Sequence, residues 1–135
     1  MPKHSFPPVA DKNCRLLILG SIPGEESLRK QQYYGHPRNA FWRILDETLP
    51  EKSYSEKCAF LLSHNIALWD VLKSAERKGS LDSAIRDEVP NDFITFLKEH
   101  PGIQKICFNG KKAQSSFKKH FPAPYDSYEC MPLPS

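Results

Sequence analysis

The chain has 135 residues, a length that favours one domain over two. Apolar residues make up 39% and charged residues 26%, which excludes a disordered, collagen-like or coiled-coil chain. Nineteen Lys and Arg against 16 Asp and Glu leave a formal net charge of +3, which permits nucleic acid as a partner without arguing for it.

Residues 1–13 carry Pro2, Pro7 and Pro8 among polar residues and read as an N-terminal arm, with no apolar stretch that would mark a secretory signal. Residues 15–19 form a short apolar run that stops at Gly20. This first strand has the composition of one buried on both faces, as in a parallel sheet. Residues 39–49 place Phe41, Trp42, Ile44, Leu45 and Leu49 at helical spacing, with Pro50 as the stop. Residues 55–64 read as a second helix and 66–72 as strand two. A third helix spans 91–100, capped by Asn91 and ended by Pro101-Gly102. Residues 105–108 are strand three, 111–120 a helix directly after Asn109-Gly110, and 128–133 strand four. Strands alternating with helices at this spacing predict an α/β layered fold with a mainly parallel sheet. No apolar run approaches the ~20 residues of a membrane helix. Cys14, Cys58, Cys107 and Cys130 are far apart and read as reduced thiols rather than metal ligands or a disulfide framework. No metal and no organic cofactor is expected.

In open parallel sheets ligands bind beyond the carboxyl ends of the strands. That rule selects Gly20-Ser21-Ile22-Pro23-Gly24, Trp69-Asp70, Asn109-Gly110-Lys111-Lys112 and the last residues, Leu133-Pro134-Ser135. Gly20 and Gly24 bracket a tight turn, where backbone N–H groups can meet an oxyanion or a base edge. Many α/β proteins turn this way for structural reasons alone.

The rest of the segment is more specific. Leu19 to Gly24, Ser27-Leu28, Gln31 to Tyr34 and His36-Pro37-Arg38-Asn39-Ala40-Phe41-Trp42 together resemble the first motif of the uracil-DNA glycosylase superfamily. The residues at 67–72, Pro90 to Phe93 and 108–113 are similar to its hypoxanthine-DNA glycosylase branch. The resemblance covers most of residues 15–135. It implies a three-layer α/β/α sandwich whose four strands lie in the order 2-1-3-4. It also implies an enzyme that flips a deaminated base out of DNA and hydrolyses its N-glycosidic bond.

Each residue type suits a step of that reaction. Flipping a base costs a few kcal/mol, which stacking and edge contacts must offset. Tyr34 stands where the family places the stacking aromatic, and its placement beside the glycines favours that role, although either Tyr33 or Tyr34 could be a core residue. Asn39 stands at the family's catalytic position. Its amide oxygen can orient a water and face the developing positive charge on the sugar, and it could also cap the following helix. Ile22 replaces the Asn of the mismatch-specific uracil branch, which leaves Asn39 as the principal polar group. Backbone amides near Ser21 and Ile22 could read a purine's acceptors. Trp69 and Asp70 fall in the base-reading wall. Asp70 would take the N1–H donor of hypoxanthine, or be a cap or surface charge. Asn109, Lys111 and Lys112 open a helix whose N-terminus suits a DNA phosphate, with a solvated Lys pair as the alternative. His36 and Arg38 could also touch phosphate or sugar. No Lys lies inside the pocket motif, so no Schiff-base lyase step is expected.

The family's second motif begins Leu-Pro-Ser and continues into a loop that wedges the duplex. Here the match ends at Leu133-Pro134-Ser135, so the expectation is a chain cut within that motif, with weak flipping from duplex DNA. The expected partner is DNA carrying deaminated bases, the expected state a monomer and the expected location the cytoplasm, near a nucleoid. Three rivals remain: a uracil-preferring glycosylase, a DNA-binding module without catalysis, and a small-nucleotide-binding protein.

Overall fold

The computed structural model describes residues 3–35, 40–77 and 85–133, except the side chains of Lys3, Glu25, Glu26 and Arg77. Four parallel strands form the central sheet: β2 (Leu16–Gly20), β3 (Ile66–Asp70), β6 (Lys105–Phe108) and β7 (Glu129–Pro132). They lie in the order β3-β2-β6-β7, which is the expected 2-1-3-4. The register pairs Leu19 with both Trp69 and Phe108, and Gly20 with Asp70.

Paired residues of parallel neighbours share a face. Leu17, Leu19, Trp69, Ile106 and Phe108 therefore face one way. Phe93 and Phe96 of α4 (Phe93–Glu99) and Phe117 of α5 (Lys111–His120) cover them. Phe93, Phe108 and Phe117 are fully buried there. On the other face lie Ile18, Gly20, Leu68 and Asp70. Residues from 33–34 and 41–63 lie on this side. Tyr34 leans over Gly20 and stacks at 4.1 Å on Phe41 of α2 (Phe41–Leu45). Trp42 meets Tyr54 at the start of α3 (Tyr54–Ser63). A capping box, Ser53 with Glu56, starts α3 and satisfies two of its end groups.

Several elements depart from the sequence expectation. The helix expected over 39–49 stops at Leu45, because Asp46 accepts from the N–H and hydroxyl of Thr48 and turns the chain out. A 3-10 turn, Leu49–Glu51, follows. Strand two ends at Asp70 rather than at 72. A second, antiparallel sheet then begins: β4 (Leu72–Arg77) lies between β1 (Lys3–His4) and β5 (Ile85–Pro90). Asp92, not Asn91, caps α4, accepting from Thr95 N–H. Two short helices, α1 (Glu25–Lys30) and α6 (Pro122–Ser127), complete the described elements.

The arm expected over 1–13 is woven into the fold where it is described. Lys3 and His4 pair with β4, and Val9 bridges Leu68 at the outer edge of β3. The Phe6 carbonyl accepts from Trp69 Nε1 at 3.1 Å and from the Tyr33 hydroxyl at 3.1 Å. This closes an otherwise open sheet edge.

Glu88 of β5 ties the small sheet to α5. Its carboxylate accepts from Lys112 Nζ at 2.5 Å and Ser116 Oγ at 3.1 Å, and lies 3.2 Å from His120 Nε2. Burial pushes the Glu88 carboxyl up, but these hydrogen bonds and the Lys112 charge more than reverse it and hold it at about 2, against an ordinary 4.5. A depressed folded-state value stabilises above the unfolded value, and that contribution is lost as pH falls through the folded one. Urea unfolding at stepped pH is expected to show stability falling between pH 4.5 and about 2. Glu88→Gln should flatten that slope and cost about 2 kcal/mol at pH 7, the order expected for hydrogen bonds to a charged group. An unchanged slope in the variant would disprove the assignment.

Candidate active site

The chain turns sharply at the carboxyl end of β2. Gly20 O accepts from Val71 N–H at 2.8 Å and Ser21 O from Leu72 N–H at 3.1 Å, so the strand end is sewn to the β3–β4 junction. Leu19 O accepts from Asn109 N–H at 2.8 Å, which brings in the end of β6. Gly20 to Gly24, Asp70 and Asn109 thus converge at the carboxyl ends of three adjacent strands, as the sheet rule expects. Ser21, Ile22 and Pro23 are buried, and Gly24 leads into α1.

Gly20 has a specific reason to be glycine. A Cβ there would stand 2.6 Å from Asp70 Oδ1 and 2.8 Å from the Tyr34 hydroxyl, both closer than real contacts allow. The Asp70 carboxylate and the Tyr34 hydroxyl therefore both lie close over the bare backbone of Gly20. Asp70 is only 3% exposed, which excludes the surface-charge alternative. Its carbonyl accepts from Asn91 Nδ2 at 2.8 Å. That amide also reaches Ser5 Oγ at 3.3 Å, so Asn91 fixes the end of β3 rather than capping a helix.

Tyr34 adopts φ 53°, a left-handed conformation that a bulky side chain rarely takes. Such strain costs on the order of 1–3 kcal/mol and persists only where neighbours fix it. The neighbours are on either side. Tyr33 N–H donates to the Tyr54 hydroxyl at 3.2 Å. Gly35 N–H donates to Ser27 Oγ at 2.9 Å, and Gly35 O accepts from Lys30 Nζ at 2.8 Å. Tyr33 itself is a core residue, 2% exposed, whose hydroxyl shares its proton between the carbonyls of Pro7 and Phe6. Burial first, and then the charge of Asp70, push that hydroxyl far up, so it remains a donor. Tyr33 is thus a core residue, while Tyr34 lies over Gly20 at the strand end.

Trp69 does not join this group. Its ring lies on the opposite face of the sheet from Gly20 and Asp70, 4.8 Å from both Phe93 and Phe96, and its N–H is committed to Phe6. The expectation of a base-reading Trp69 gives way to a core role, because alternation along β3 sends residues 69 and 70 to opposite sides. Lys112 is likewise held by Glu88 rather than presented to a phosphate. Lys111 is exposed at the start of α5, and Asn109 is half-buried. Asn39, His36, Arg38, Pro134 and Ser135 lie outside the described residues. Ser27, Lys30, Tyr54 and Asn91 had no site role in the sequence reading. Ser27 was visible only as part of a motif, and nothing in a sequence marks which backbone amide a serine will meet. Among the described residues no group of three or more His, Cys, Asp or Glu could hold a metal ion, and no helix is long and apolar enough to cross a membrane.

The family model of the uracil DNA glycosylase superfamily matches residues 7–135, nearly the whole chain. The chain belongs to the uracil DNA glycosylase superfamily. Relatives sharpen the placement within it. A Methanosarcina acetivorans protein named hypoxanthine DNA glycosylase is 49% identical over 117 residues, 84% of this chain and 74% of the relative. A Methanosarcina barkeri protein of the same name is 45% identical over the same shares. A Methanosarcina acetivorans protein solved by NMR as a candidate uracil DNA glycosylase superposes with a TM-score of 0.85 at 44% identity, covering 100% of this chain and 84% of that one. These likenesses agree with the parallel four-stranded sheet.

Proposed function

We propose that this protein is a monofunctional DNA glycosylase of base excision repair that releases hypoxanthine from deoxyinosine in DNA. The observation that carries the reading is the 49% identity, across 84% of the chain, to a relative named for that activity. The groups gathered at the carboxyl ends of β2, β3 and β6 support this reading by their chemistry. Tyr34, with Phe41 behind its ring, offers a face for the flipped base, and such stacking is worth ~1–3 kcal/mol per base. The turn at Ser21 and Ile22 offers backbone amides to the O6 and N7 acceptors. Asp70, at the same strand end, accepts from N1–H. Asn39 holds a water against C1′ and faces the positive charge that develops on the sugar as the C1′–N9 bond breaks. The C1′–N9 electron pair leaves with the base, the water oxygen bonds to C1′ and gives a proton to solvent, and the departing base takes up a proton from solvent. His36, Arg38, Asn109, Lys111, Pro134 and Ser135 border the DNA backbone and position the strand. The protein acts as a monomer in the cytoplasm, close to the nucleoid.

A second reading, a uracil-preferring glycosylase, draws on the NMR relative and its description. Single-turnover excision from oligonucleotides carrying one deoxyinosine, deoxyuridine or deoxyxanthosine decides between them. We expect deoxyinosine to be processed at least 10-fold faster than deoxyuridine. The reverse order would establish the second reading.

A further inference from the structure

We infer that Ser27 is a positioning residue for excision, acting with Lys30 on the Gly35 backbone to hold Tyr34 in the conformation that receives the base. This rests on the glycosylase reading and extends it to residues that touch no substrate. Ser27 is 7% exposed, and its Oγ accepts from Gly35 N–H at 2.9 Å. Lys30, one helical turn on, donates from Nζ to Gly35 O at 2.8 Å. The two side chains therefore grip both peptide groups of one residue. The peptide between Tyr34 and Gly35 sets the backbone torsion that follows the Tyr34 Cα. On the other side, Tyr33 N–H is held by the Tyr54 hydroxyl at 3.2 Å. Tyr34 is the strained residue between these fixed points, with φ 53° and its hydroxyl over Gly20.

Helix α1 is itself anchored at both ends of this device. Gly24 starts it directly from the β2 turn, and Gln31, at φ 57°, ends it with Gln32 N–H donating to Ser27 O at 3.0 Å. Ser27 thus sends its carbonyl to the end of its own helix and its hydroxyl to the site loop. The buried serine transmits the geometry of the β2 turn to Tyr34, and replacing it by alanine leaves the Gly35 N–H without that acceptor.

The test combines Ser27→Ala, Ser27→Thr and Lys30→Met with a double-mutant cycle on Tyr34→Ala. Ser27→Ala is expected to slow single-turnover release of hypoxanthine about 10-fold, with unchanged affinity for undamaged duplex DNA. Ser27→Thr, which keeps the hydroxyl, recovers most of the rate, and Lys30→Met shows a smaller loss. In the Tyr34→Ala background Ser27→Ala should change the rate less than twofold, because the residue it positions is already gone. Exchange of the Gly35 amide proton, followed by NMR, should quicken at least 10-fold in Ser27→Ala. An active wild type whose Ser27→Ala variant stays within twofold overturns the positioning role alone. So does a Ser27→Ala loss that persists undiminished without Tyr34, which would mark a general structural effect. A folded wild type that releases no base overturns the glycosylase reading beneath it.

Discussion

Asn39→Ala is expected to lower the single-turnover rate of hypoxanthine release by 100- to 1000-fold without weakening DNA binding. Removing one preorganised polar group that faces charge developing in a transition state typically costs 10²–10³ in rate, about 2.7–4 kcal/mol. The group in question is an amide, which is a poor base, so the role proposed for it is to hold water and face the sugar cation. Asn39→Asp should therefore retain part of the activity, since a carboxylate can do both. Asn39→Gln, with the amide moved by one methylene, should not. Rates from a quenched time course with enzyme in excess check all three. Asn39→Ala within fivefold of wild type would remove Asn39 from the chemistry.

Gly20→Ala is the second large effect, about 100-fold on excision, and it has a different cause. The new methyl would stand 2.6 Å from Asp70 Oδ1 and 2.8 Å from the Tyr34 hydroxyl. Both atoms are at the ends of side chains, so they can yield while the β2 backbone keeps its parallel pairing to Asp70. The stability cost should be ~1–3 kcal/mol, the usual range for overpacking. The functional cost is larger because the two displaced groups are the ones assigned to stack on the base and accept from its edge. Thermal unfolding and excision rate measured on the same preparation separate the two. A loss of activity that merely tracks the loss of folded protein would reduce Gly20 to a packing residue.

The parallel sheet was legible because β2, β3 and β6 are buried on both faces and so read as unbroken apolar runs. The antiparallel sheet was not. Its strands carry Lys73, Ser74, Glu76, Arg86 and Glu88, the left-handed Asp87 at φ 53° and two register shifts, which together erase a two-residue period. The attachment of the arm was hidden for a related reason. The arm is held through its own backbone carbonyls, which any sequence supplies, and the side-chain donors that reach them, Tyr33 and Trp69, lie far along the chain. Alternation along β3 could have told residue 69 from residue 70, since adjacent residues of a strand cannot both face one pocket. The motif from Gly20 to Trp42 was legible by resemblance. The hydrogen bonds through which Ser27 and Lys30 meet Gly35 depend on three-dimensional placement and could not be read from the motif.

The central claim is that this chain breaks a glycosidic bond in DNA, and the most direct measurement is the released base itself. A deoxyinosine oligonucleotide, single-stranded and duplex, is incubated with excess protein, and the small-molecule fraction is analysed by mass spectrometry. The account predicts free hypoxanthine, one equivalent per strand, with the strand left intact until hot alkali cuts the abasic site. Protein that is folded and bound to the oligonucleotide yet releases no hypoxanthine would contradict it.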